Sequence, residues 1–208
     1  IDTAVTSDDF ARPARTWNYK GEQVIVAADT ADYVLSGEVT GKELFNTVGE
    51  TLADSSKYTW TINLDGTTGG TFSQSNVSKT NDTALTGTGN GTVMEIFITK
   101  EYVSSSEKGT VVVSIVNTYA GQISSVMGED DVDEDENPYV IVSDLSQSPV
   151  ADGEKFEATG YDVDDMVLFT YSKKTSEIAS LTAAREVSGQ VTKVTAGESF
   201  VVGGQTYE

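Results

Sequence analysis

Apolar residues along the chain come in short runs, and within the runs they alternate with Thr, Ser and Asn. A two-residue period belongs to a strand with one buried and one polar face. Tyr58, Trp60, Ile62 and Leu64, interleaved with Thr59, Thr61 and Asn63, are the clearest case, and Asp65-Gly66 directly after them reads as a turn. The same pattern, rich in Val, Ile, Tyr and Thr, predicts strands over 23–28, 33–36, 93–99, 110–118, 121–126, 139–143, 155–158, 166–171, 186–194 and 199–202. Segments 93–99 and 110–118, separated by a polar turn at 104–108, read as an antiparallel hairpin. The Gly-, Ser-, Thr- and Asn-rich stretch 66–92 reads mostly as loop, with a short strand at 71–73. Residues 176–184 fit two patterns: Ile178, Leu181 and Arg185 suit a helix, while the surroundings favour a strand.

One segment breaks the strand pattern. Thr40 followed by Glu43 is a capping box, and Leu44, Phe45 and Val48 fall on one helical face. Gly49 is suited to stop the helix, which predicts a short helix near 41–48. The fold class is therefore mainly β: an antiparallel sheet domain with one short helix, then a small β-barrel or sandwich domain.

Charge and repetition place the boundary. Residues 1–118 hold 15 acidic and 8 basic residues, whereas 119–208 hold 18 and 5. The strand pattern also restarts after Tyr119. The expected domains are 1–118 and 119–208. Within the second, Ala120-Gly121-Gln122-Ile123-Ser124-Ser125-Val126 matches Ser188-Gly189-Gln190-Val191-Thr192-Lys193-Val194 at an offset of 68 residues. Each copy is followed by a turn and an apolar strand, so a truncated second repeat is expected from 186. On this reading the parent chain continues past Glu208.

Composition removes whole classes of chemistry. The 208 residues contain no Cys and no His and carry a net charge of −20. Thiol catalysis, disulfides, Ser-His-Asp and Cys-His systems and the common zinc sites are excluded. The acidic balance opposes nucleic acid, whose phosphates dominate affinity. No apolar run reaches the ~18 residues of a membrane span, and no signal-peptide pattern opens at Ile1. Carboxylate chemistry, a Ser-Lys pair and hard-cation binding survive this filter.

The acidic run Glu129, Asp130, Asp131, Asp133, Glu134, Asp135, Glu136 is the densest charge cluster. Asp131, Asp133 and Asp135 have the spacing that opens an EF-hand loop. Glu136 stands where that loop needs Gly, and Val142 where it needs the bidentate Glu. The expectation is a solvated hairpin tip, with any calcium binding weak, on the order of 10⁻⁴–10⁻³ M. Asp162, Asp164 and Asp165 read as a turn before the next strand. Gly87-Thr88-Gly89-Asn90-Gly91 lacks the Gly-Lys-Ser/Thr ending of a phosphate loop and leads into a strand, so it reads as a turn. Lys173-Lys174 beside Ser172 and Ser176 reads as an exposed turn rather than a Ser-Lys dyad. Trp17, Tyr19, Tyr58 and Trp60 could form a carbohydrate platform, but Tyr58 and Trp60 share one strand face and suit the core.

Asp9-Phe10-Ala11-Arg12-Pro13-Ala14-Arg15-Thr16-Trp17-Asn18-Tyr19-Lys20-Gly21 resembles a stretch of large clostridial cell-surface proteins that carry S-layer homology domains. Further matches are Gly87-Thr88-Gly89-Asn90-Gly91-Thr92 running into Val93-Met94-Glu95-Ile96-Phe97, and Val116-Asn117-Thr118-Tyr119. Val163-Asp164-Asp165-Met166-Val167-Leu168, Gly189-Gln190-Val191-Thr192 and Val202-Gly203-Gly204-Gln205-Thr206-Tyr207 are similar to the repeated β modules of the same proteins. No S-layer homology segment lies within these residues. The resemblance implies a structural or adhesive, non-catalytic module at the surface of a Gram-positive bacterium. It implies no cofactor, and it implies cell-wall components or other surface proteins and glycans as partners. Two rivals stand beside it: a glycan- or ligand-binding module, and a carboxylate-based glycan hydrolase, which needs two acids roughly 5–10 Å apart in a cleft.

Overall fold

The computed structural model describes residues 31–68, 70–133, 135–144, 154–185 and 187–207, together with the backbone alone of 14–19 and 22–27. The fold is mainly β with one helix, and almost all strand pairs are antiparallel. Strands β1 (Ala14–Tyr19) and β2 (Glu22–Ala27) form an antiparallel pair. The side chains of 14–19, Trp17 and Tyr19 among them, and residues 9–13, 20 and 21 of the motif lie outside the described residues.

The first core is built by β3 (Tyr33–Ser36), α1 (Gly41–Ala53), β4 (Tyr58–Leu64), β5 (Thr67–Thr68), β6 (Thr92–Lys100) and the first half of β7 (Gly109–Met127). Across the sheet the order is β3-β6-β7-β4-β5. The expected hairpin of β6 and β7 is present. One pair is not antiparallel: β4 runs parallel to β7, with Tyr58 opposite Gly109 and Leu64 opposite Ile115. The cause is the crossover through α1, since a helix between β3 and β4 returns the chain in the direction it left. Leu44, Val48 and Leu52 of α1 then bury against Met94, Ile96, Val111, Val113 and Ile115.

The capping box forms as its residues dictate: Glu43 N donates to Thr40 Oγ1 at 3.2 Å and Thr40 N donates to Glu43 Oε2 at 2.8 Å. Gly49 interrupts the helix with φ +82° and ψ 168°, but helical backbone resumes and runs to Ala53. The extension exists because Leu52 finds the core and its carbonyl accepts from Trp60 Nε1 at 2.9 Å. The short strand expected at 71–73 is instead a bend into a 3₁₀ turn, Gln74–Asn76. Asn76 Oδ1 accepts from Ser73 N at 2.8 Å, a local bond that competes with a ladder.

The second core takes the other half of β7 with β8 (Tyr139–Asp144), β9 (Glu154–Glu157), β10 (Met166–Ser172) and β11 (Glu177–Ala183), in the order β11-β10-β7-β8-β9. The ambiguous 176–184 segment is thus a strand. Ile123, Val140, Val142, Val167, Phe169, Tyr171 and Ile178 are buried together. No barrel closes: β9 hydrogen-bonds β8 and β11 hydrogen-bonds β10, and the two edges approach each other without pairing. The sheet is sandwich-like.

Strands expected separately over 110–118 and 121–126 are one 19-residue strand, β7. Thr118 therefore falls inside a strand, with a distinct buried cluster on either side of it in sequence. The chain ends in an antiparallel meander of β12 (Val191–Thr195), β13 (Ser199–Val202) and β14 (Gln205–Tyr207).

Candidate functional site

Polar chemistry gathers in a node at the middle of β7, in a groove between β9 and β11, and in the loop between β7 and β8. The node centres on Asp65. The turn after β4 places Asp65 at φ +48° and Gly66 at φ +88°, the pair of left-handed residues a two-residue hairpin demands. The carboxylate is thereby driven inward, and Asp65 is 0% exposed.

A buried carboxylate persists only when its oxygens are satisfied. Asn117 N donates to Asp65 Oδ1 at 2.9 Å, Tyr119 OH donates to Oδ2 at 2.7 Å, and Lys173 Nζ lies 3.2 Å from Oδ2. The backbone of Asp65 adds to this: its N–H donates to Ile115 O at 2.9 Å and its carbonyl accepts from Lys173 N at 2.8 Å. One residue thus ties the β4–β5 turn to the middle of β7 and to the β10–β11 turn. The 87–92 loop closes beside it, with Asn117 Nδ2 donating to Gly87 O at 3.2 Å and Thr118 N to Gly91 O at 3.1 Å. Gly91 has φ +80°, and a Cβ there would sit 2.9 Å from Thr118 O.

The node absorbs three of the motifs singled out in the sequence. The amides of Thr88, Gly89 and Thr92 donate to Leu85 O, Thr92 Oγ1 and Gly89 O, so the glycine loop spends them on protein acceptors. Lys173 is committed to Asp65, while Ser172 Oγ accepts from Thr175 N at 3.3 Å. Asn117 and Tyr119, met in sequence as strand residues and as part of a resemblance, donate to the Asp65 carboxylate. Sequence reading assigned Asp65 to a turn and missed this role. The one available signal was an Asp in place of the more permissive Asn before Gly66.

The groove lies along the unclosed seam of the second sheet and encloses about 490 Å³. Its polar wall includes Glu136, Asn137, Tyr139, Lys155, Glu157 and Glu177. Lys155 Nζ lies 4.0 Å above the Tyr139 ring centroid and 3.1 Å from Glu136 Oε1. Tyr139, chiefly, and then Glu136 hold the Lys155 ammonium above the usual lysine range. With the nitrogen over the ring, the Tyr139 contribution takes the physical form of a cation–π contact. Asn137 Nδ2 donates to Glu157 Oε2 at 3.1 Å. Lys155 thus pairs with Glu136 and Tyr139, and Asn137 with Glu157, within the groove.

Asp131, Asp133 and Asp135 stand in the loop between the paired ends of β7 and β8, and all are exposed. Asp131 Oδ2 accepts from Gly128 N at 3.3 Å, and Asp133 O accepts from Glu136 N at 2.9 Å. Among the described residues no group of three acids converges as a metal-ligand set; Glu134 lies outside them. Asp162, Asp164 and Asp165 form a turn, in which Asp162 N donates to Asp165 Oδ2 at 2.8 Å and the main chain of Asp164 and Asp165 bonds Ile123. Tyr58 is buried with its hydroxyl donating to Glu101 Oε2 at 2.8 Å, and Trp60 packs against the first core.

No helix among the described residues is long and apolar enough to cross a membrane. Comparison of the chain with protein-family models, with curated proteins and with solved structures finds no match.

Proposed function

We propose that the chain is a structural or adhesive module of a bacterial cell-surface protein of S-layer type, and that it works as a rigid element rather than as a catalyst. The observation that carries this reading is β7: one 19-residue strand contributes to both buried clusters and is pinned at its middle by Asp65. Load passing from one cluster to the other travels through β7 and shears its ladders to β4 and β6 in one half and to β8 and β10 in the other, the geometry in which many hydrogen bonds must break at once. The charge of −20 keeps such a surface solvated and apart from its neighbours. The absence of His and Cys supports a non-catalytic role, and the resemblance to clostridial surface proteins supports an extracellular location on a Gram-positive bacterium. Its partners are then cell-wall components or other surface proteins and glycans, with neither nucleic acid nor membrane insertion. It needs no cofactor, and calcium binds weakly at most through Asp131, Asp133 and Asp135.

The absence of native Cys makes the mechanical test direct. Cysteines at Ser55, before β4, and at Asp135, in the loop before β8, let single molecules be pulled so that the load crosses in shear from β8 through β7 to β4. Expected is one high-force rupture that releases both clusters; low-force, stepwise peeling would overturn the reading.

The groove between β9 and β11 favours a second reading, a glycan- or ligand-binding module. It offers Tyr139 for stacking and Asn137 and Glu157 for hydrogen bonding. Against it, Lys155 already covers the Tyr139 face, so a sugar must displace that ammonium. A hydrolase would need two free carboxylates, yet of the groove's three acids Glu136 pairs with Lys155 and Glu157 accepts from Asn137, which leaves Glu177. Saturable glycan binding lost on Tyr139→Ala would establish the second reading, and glycan turnover lost on Glu157→Gln would establish the third.

A further inference from the structure

The meander β12–β13–β14 reproduces, pair for pair, the meander formed by the end of β7 with β8 and β9. In the first, Ile123 pairs with Val142, the register slips by one residue, and Ser125, Val126 and Met127 pair with Ile141, Val140 and Tyr139. In the other, Val191 pairs with Val202, the register slips at the same place, and Lys193, Val194 and Thr195 pair with Val201, Phe200 and Ser199. The third strands correspond as well. Val140 opposite Phe156 becomes Phe200 opposite Tyr207, and Val142 opposite Glu154 becomes Val202 opposite Gln205. Even the leading glycine is equivalent. A Cβ on Gly121 would lie 2.7 Å from Val142 Cγ1, and one on Gly189 would lie 3.0 Å from Val202 Cγ1. The copies differ in their loops, which are shorter in the second, and in what covers them.

In the first copy β10 runs antiparallel along the free edge of β7, and Val167, Phe169 and Tyr171 bury Ile123, Val140 and Val142 completely. β10 pairs with residues 118–122 of β7 and its approach bonds Ile123, so the equivalent edge in the second copy runs over 187–191, and along it no strand lies among the described residues. Two of the three equivalent core residues face water: Val191 is 54% exposed and Phe200 46%, against 0% for Ile123 and Val140, while Val202, like Val142, is buried. Exposed apolar residues beside an open edge mark a surface built to be covered. Charge permits contact there, because 187–207 carry only Lys193 and Glu198 in a chain of net −20. Two whole copies meeting elsewhere would repel each other.

We infer that the edge formed by residues 187–191 and the apolar face of β12–β14 beside it receive a β-hairpin from a partner polypeptide. The hairpin has the chemistry of β10–β11: one strand lies antiparallel to 187–191 with bulky apolar residues at alternate positions, as Val167, Phe169 and Tyr171 are placed on β7. Strand addition at an open edge supplies main-chain hydrogen bonds, and the alternate side chains supply selectivity. Gln190 and Gly189 would face the incoming strand, as Gln122 and Gly121 face Met166 and Val167.

The test uses the full chain and a backbone-cyclised peptide of residues 166–183, whose hairpin form is first checked by circular dichroism. Hydrogen exchange and calorimetry follow its titration. Expected is saturable one-to-one binding that slows exchange at the amides of 187–191. Binding should weaken by at least about tenfold in the Val191→Asp, Phe200→Ser variant. Both positions are exposed, and an unchanged melting temperature verifies that the variant is folded. Three results would overturn the inference: no protection of 187–191 at saturating peptide, equal binding by the variant, or amides of 187–191 already protected in the peptide-free protein through self-association.

Discussion

At the scale of single residues, Asp65 is where polar energetics concentrate. Its oxygens are the acceptors for Asn117 N and Tyr119 OH and the counter-charge for Lys173. Asp65→Asn keeps the shape but removes the charge and turns one acceptor into a donor facing donors. Lys173 keeps partial access to water, which moderates the penalty. We expect a loss of about 2–4 kcal/mol by urea denaturation; a change within error would show the node to be dispensable. Glu43 makes a prediction in pH. Its carboxylate accepts from the Thr40 backbone N–H and hydroxyl, and these bonds hold its pKa below the usual glutamate value. Folding therefore favours the ionised form. The contribution is present above the ordinary glutamate range and is lost as pH falls through the lowered value. Glu43→Gln should flatten the acid side of the stability curve followed by far-ultraviolet circular dichroism, whereas an unaltered acid limb would contradict the capping role.

At the scale of elements, α1 and β7 depend on glycines for different reasons. Gly49 has open space around it but a φ of +82° with extended ψ, a region side chains avoid. Gly49→Ala should cost about 1–3 kcal/mol through backbone strain alone. Gly121 has ordinary backbone and no space, since a Cβ would meet Val142 and lie 3.0 Å from Phe169. Gly121→Ala should cost about 1–3 kcal/mol by overpacking. Gly189→Ala, whose Cβ would meet Val202 without any counterpart of Phe169, should cost less. Thermal melts of the variants side by side rank these effects, and an equal cost at 121 and 189 would weaken the equivalence of the two meanders.

At the scale of the whole molecule, β7 couples the two cores and charge opposes compaction. A strand shared by both clusters cannot leave one without disturbing the other. We expect a single cooperative urea transition, with hydrogen exchange at Val113 and at Ile123 reporting the same opening free energy. Two separated transitions would show that the node does not couple them. With 33 acidic against 13 basic residues, self-repulsion weakens the fold at low ionic strength. The melting temperature should rise as sodium chloride screens these charges over the first few tenths molar; a fall would point to ion pairs such as Lys42–Asp82 as the larger contribution.

The mainly β class, most strands and the capped start of the helix were legible in the sequence because each rests on local period or local hydrogen bonding. Tyr58 to Leu64 alternates as a strand must, and Thr40 and Glu43 satisfy each other within a single turn. The end of α1 was not legible, because Gly49 does break the helix and only Leu52 in the core, with Trp60 on its carbonyl, restores it. Strands 110–118 and 121–126 merge because Tyr119, Ala120 and Gly121 gain ladder partners on β10, fifty residues away in the chain. The Asp65 node stayed hidden for the same reason: local chemistry marks Asp65-Gly66 as a turn, and only the approach of β7 and of Lys173 turns it into a buried carboxylate site. Short-range patterning therefore sets which segments are strands. Which strands continue, which pair in parallel and which polar groups are buried together depends on long-range contacts that no local window contains.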